Sequence, residues 1–84
     1  MVNDYIPMGN GEFVVEIRVS DRLDGTSLSR LFQNGSDDVP QVLLVKHRSQ
    51  SIVHSPEDHV LYAKDILVLF GTLESLRAFA PKLA

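Results

Sequence analysis

One stretch carries apolar residues on both faces for longer than any other in the chain: Asp65-Ile66-Leu67-Val68-Leu69-Phe70-Gly71. An acid opens it and a glycine closes it. It is too short for an ordinary helix and is bounded like a strand. Neither face carries a polar residue, so both need cover. The pattern predicts a strand in the interior of a sheet.

A different pattern marks Glu12 to Ser20. Phe13, Val15, Ile17 and Val19 fall on one face, while Val14, Glu16 and Arg18 fall on the other. This is a strand with one buried and one mostly solvated face. Asp21 to Gly25 reads as a polar turn, after which Thr26 or Ser27 can cap a short helix. Leu28, Leu31 and Phe32 have the spacing of one helical face, and Asn34-Gly35 suits its end. Val39-Pro40 opens a second strand, where a missing donor costs least. Val42 to Val45 make that strand apolar on both faces, and Lys46-His47-Arg48 ends it with positive charge. Ser49-Gln50 reads as a tight turn, with Ser51 to His54 returning as a hairpin strand. Ser55 to His59 is a polar turn, and Val60-Leu61-Tyr62 a short extended piece.

After the long strand, Thr72 caps a second helix with Leu73, Leu76, Phe79 and Ala80 on its apolar face and Pro81 as its stop. Residues 1–11 contain a proline, glycines and asparagines without periodicity, and read as a flexible lead-in or linker. The expected domain, 12–84, is α+β, a four-stranded and mainly antiparallel sheet with two helices in the order β-α-β-β-β-α. Two helices cover one face of such a sheet. The doubly apolar strands imply cover on the other face too, which a second copy would supply as a homodimer.

Size strengthens that expectation. A chain of 84 residues buries only about 60% of its unfolded surface. There is no cysteine to add a disulfide or a thiolate metal site. The formal net charge of -3 argues against nucleic acid, which needs a basic footprint. No apolar run reaches the length of about 18 residues that spans a bilayer. The amino terminus lacks the pattern of a secretory signal, so a cytoplasmic setting is expected.

Candidate chemistry is sparse. His54 and His59, with Glu57 and Asp58 between them, offer nitrogen and oxygen ligands, but the spacing is unlike a helical metal motif. Solvated loop residues are the plainer reading, and no metal is expected. Asp37-Asp38 and Glu57-Asp58 read as solvated loop charge. No serine sits in a nucleophile-elbow motif, and neither glycine-rich phosphate motif is present. An enzyme is not expected and no catalytic residue is assigned. His47 lies between Lys46 and Arg48 at a strand end. That reads as a solvated end or as a cationic rim for an anion, since arginine forks onto phosphate.

The segments FVVEIRVSDRLDGTSLSRL, VPQVLLVKHRSQSIVHSPEDHVLYAKDILVLFG and TLESLRAF resemble the TrkA-C domain, the carboxy-terminal lobe of the RCK family of regulators of potassium conductance. The match covers Glu12 to Phe79. It includes a Leu-x-Gly-x-x-Leu step at Leu23, Gly25 and Leu28, and an arginine at the hairpin turn, Arg48. It also includes Pro56 and Asp58 before the last strand, then Lys64-Asp65 and an aliphatic strand ending at Gly71. Lys64 stands where the family has glycine. The resemblance implies a ligand-sensing, dimer-forming module attached to, or acting in trans on, a cation channel or transporter. It also implies a possible nucleotide effector, cyclic di-AMP, in the cleft between subunits. Laid on this chain, that pocket comprises Leu28, Ser29, Phe32, Asn34, Pro40, Ser49 and Pro56, with His47 and Arg48 available to a phosphate. Phe32 replaces an acid of the family and Pro40 an amide. The helical spacing of Leu28 and Phe32 also fits plain core residues. Any ligand is thus expected away from the strand 65–71. The other readings are a structural dimerisation module without ligand, and a regulatory domain of another transporter class or of a transcription regulator.

Overall fold

The computed structural model describes residues 2–32, 39–53 and 59–83. Its strands are β1 (Val2–Pro7), β2 (Glu12–Arg18), β3 (Gln41–His47), β4 (Gln50–Val53) and β5 (Ile66–Thr72); its helices are α1 (Leu28–Leu31) and α2 (Leu73–Phe79). The strands form one five-stranded sheet in the order β1-β2-β5-β3-β4, each neighbour pair antiparallel. The longest apolar run is therefore the central strand, as its two apolar faces require.

The expected four strands become five. Val2–Pro7, read in the sequence as part of a lead-in, pairs along β2 with Tyr5 opposite Val15 and Pro7 opposite Phe13. Pro7 is tolerated because it closes an edge strand. Gly9 and Gly11, both at positive φ, lie in the connection to β2, and the Met8 N–H donates to the Glu12 carbonyl at 2.8 Å. These glycines belong to a hairpin, where left-handed backbone is needed, and not to a linker.

The helices form where their caps say. Ser27 Oγ accepts the Arg30 N–H, and Thr72 Oγ1 accepts the Ser75 N–H at 3.1 Å. The first helix is a single turn, so Phe32 is its carboxy-terminal flank. The second ends at Phe79, and Pro81 sits inside a following 3₁₀ turn, Ala80–Lys82. The expected helix end at Asn34-Gly35 lies outside the described residues. The β3–β4 turn is centred on Arg48-Ser49, with His47 paired to Gln50, one residue earlier than expected.

Both helices cover the same face. Val15 and Ile17 of β2, Leu67 and Leu69 of β5 and Val45 of β3 pack with Leu28, Leu31, Leu61, Leu76, Phe79 and Leu83 in one core. Phe32 stacks on Phe79 at 4.6 Å between ring centroids. The opposite face holds Val14, Phe70, Ile66, Leu44 and the buried Val68, with Ile6 exposed at the β1 edge. The register of β3 shifts between Val42 and Leu44, which leaves Val42 opposite Leu69 and Leu44 opposite Val68. Lys46 Nζ meets Glu16 Oε2 at 2.8 Å, so an ion pair spans β5 on this face. No helix among the described residues is long and apolar enough to cross a membrane.

Candidate functional site

Antiparallel pairing of β3 with β5 brings the end of one strand to the start of the other, with Lys46 opposite Ile66. The cationic end Lys46-His47-Arg48 therefore meets the turn Tyr62-Ala63-Lys64-Asp65. Between them lies an open cleft of about 600 Å³ lined by these residues and Ile66.

Asp65 organises it. This carboxylate is buried, and Oδ1 lies 2.6 Å from His47 Nδ1. Its Oδ2 accepts the Tyr62 N–H at 3.0 Å. The Asp65 N–H in turn donates to the Tyr62 carbonyl at 3.0 Å, closing the turn. Ala63 N–H donates to Asp24 Oδ1 at 2.8 Å, and Lys64 N–H to the Val19 carbonyl at 3.0 Å. Tyr62 leans against the His47 ring at 5.3 Å, and about half of its surface is exposed. The imidazole is held between carboxylate and phenol. With Nδ1 committed to Asp65, Nε2 has no hydrogen-bond partner among the described residues.

The backbone here is unusual. Arg48 and Lys64, at φ 56° and 74°, are the non-glycine residues at positive φ among the described residues. Lys64 is the third residue of a four-residue turn closed by a hydrogen bond, the position that type II geometry reserves for glycine. Arg48 is the first of two central hairpin residues, and only it has positive φ, as in a type II′ turn whose usual occupant there is also glycine. Left-handed backbone costs a residue with a Cβ roughly 1–2 kcal/mol. Both turns thus accept strain, and both place a cation on the wall of the same cleft.

The charge is unevenly compensated. Lys46 is matched by Glu16. Arg48 and Lys64 form no ion pair among the described residues. The cleft can therefore accept an anion, with guanidinium and ammonium donors around it and an aromatic wall at Tyr62.

The sequence-predicted residues are dispersed. His47 and Arg48 line the cleft, and Ser49 is exposed beside them in the hairpin turn. Leu28 is buried core, Phe32 is stacked on Phe79, and Pro40 is buried beside Gly71. Ser29 is exposed, its hydroxyl 3.1 Å from that of Ser27. Asn34 and Pro56 lie outside the described residues, as do His54, Glu57 and Asp58. His59 Nε2 is enclosed without a hydrogen-bond partner among the described residues, and no metal-holding group occurs among them. Sequence reasoning missed Tyr62, Lys64 and Asp65 as site residues, and the cleft adjoins β5 where a ligand was expected away from it. The signal was available: a cationic strand end and a Lys-Asp strand start become neighbours once the two strands pair antiparallel.

A second concavity, of about 460 Å³, is apolar and lies between the sheet and α2, lined by Tyr5, Phe13, Val15, Ile17, Leu73 and Leu76 among others. Compared with known proteins, the sequence matches no family model and no curated protein.

Proposed function

We propose that this chain is a dimer-forming regulatory domain that binds a small anion and transmits a change in subunit arrangement to a cation channel or transporter of the potassium or cation/proton class. The cleft carries the proposal: Arg48 and Lys64, without ion-pair partners among the described residues, stand with a carboxylate-held imidazole around one cavity. Arginine and lysine donors suit phosphate, and the cleft has the size of a small-molecule site. The resemblance to the TrkA-C domain supplies the transporter setting and makes cyclic di-AMP the first effector to try. The half-buried Val14, Leu44, Ile66 and Phe70 on the outer sheet face, with the exposed Ile6 at its edge, support the homodimer. Regulation then requires that the ligand bind one dimer arrangement more tightly than another.

A second reading keeps the dimer and drops the ligand. The same sheet face favours it, because that face calls for cover whatever the cleft does. Calorimetric titration with cyclic di-AMP, a mononucleotide and inorganic phosphate, alongside light scattering, separates the two. Saturable binding by a particle of twice the chain mass is the expected result. A dimer that gives no heat with any of them leaves the structural module. A monomer under all conditions removes both readings.

A further inference from the structure

We infer that Lys64 and Arg48 occupy glycine-type backbone positions because their charges bind the ligand, and that the ligand is a phosphate ester carrying a flat ring. This rests on the anion-binding reading of the cleft and adds to it a division of labour among its residues. Non-glycine residues at positive φ are uncommon, with Asn, Asp and His several-fold enriched among them. In this chain the two are the long cations Arg48 and Lys64, at two separate turns that meet at one cleft. Neither turn needs the side chain of Lys64 or of Arg48 to form. The Tyr62-to-Asp65 turn is closed by backbone bonds and by the Asp65 carboxylate, and the hairpin turn by β3–β4 pairing. Glycine would fit both places with less strain. Strain that local structure does not require, repeated at two points of one cavity, points to the side chains as the reason for it.

The same geometry describes the ligand. Arg48 offers a planar fork to two phosphate oxygens, and Lys64 a point charge to the same group. A cleft of about 600 Å³ has room for more than a bare phosphate. Tyr62, half-exposed on its wall, offers a ring face for the remainder to stack on. Asp65 does not compete for these donors, since its oxygens already meet His47 and the Tyr62 N–H.

The experiment compares Lys64→Gly, Arg48→Gly and Lys64→Arg with the parent chain, measuring thermal midpoint and affinity for AMP and inorganic phosphate. Either glycine variant should raise the midpoint and weaken AMP binding by about tenfold or more, the loss of one charge-assisted hydrogen bond. Lys64→Arg should keep the parent midpoint and recover most of the affinity. AMP should bind the parent more tightly than inorganic phosphate does. A parent that binds AMP, with glycine variants that bind it equally, overturns the inference and leaves the anion site standing. Equal affinity of AMP and phosphate overturns the ring assignment. A parent that binds no phosphate compound at all removes the anion-binding reading itself. A glycine variant with a lowered midpoint shows that the side chain supports the fold, which also overturns the inference.

Discussion

The two ends of β5 use the same backbone question in opposite ways. At its carboxyl end Gly71 has no positive φ, and its lack of a side chain matters for space: a Cβ there would lie 2.7 Å from Ser75 Oγ and 3.4 Å from Pro40 Cβ. At its amino end Lys64 has the left-handed φ of 74° that favours glycine, yet it carries a long charged side chain. One end keeps glycine where conformation does not ask for it. The other omits glycine where conformation does. The first is a packing requirement between β5, α2 and the start of β3. The second is strain held at a polar cleft, and the contrast separates the end that builds the fold from the end that offers chemistry.

The largest effect should come from the polar end. Asp65→Ala leaves the Tyr62 N–H unpaired and frees the His47 ring, so urea denaturation should show a loss of roughly 3 kcal/mol. A loss below about 1 kcal/mol would mean that the turn does not depend on this buried carboxylate. Next, Gly71→Ala should cost roughly 1–2 kcal/mol through overpacking. Adding Ser75→Ala removes the nearer colliding atom and should recover part of that cost in a double-mutant cycle; strict additivity would show that the close approach to Ser75 is not the cause. Thr72→Ala should cost about 1 kcal/mol by removing the cap of α2, with the helical circular-dichroism signal as a second readout. The smallest change has the opposite sign. Lys64→Gly relieves roughly 1–2 kcal/mol of left-handed strain and incurs glycine's larger entropy cost of about 0.5–1 kcal/mol, so a net gain of up to about 1.5 kcal/mol is expected. Destabilisation there would collapse the contrast between the two ends.

Much of the architecture was legible in the residues. The run from Ile66 to Phe70 read as a central strand, and Thr72 and the pair Thr26-Ser27 announced their helices, with Ser27 the cap the structure selects. The fifth strand was not legible, because its edge position tolerates Pro7 and mixed polarity, and an edge strand has only one neighbour to shape its pattern. The cleft was half legible. His47 and Arg48 stood out as a cationic strand end, but Tyr62, Lys64 and Asp65 gained meaning only beside them.

The sequence by itself determined the sheet's centre and the helix starts, because periodicity and caps act locally. Tertiary structure alone decided the strand order, the register that sets Lys46 against Ile66, and the left-handed turns that carry Arg48 and Lys64 to one cavity. The reason is physical: hydrogen-bond pairing between distant strands is a non-local choice, and the energy that holds a lysine in glycine's conformation comes from the whole domain around it.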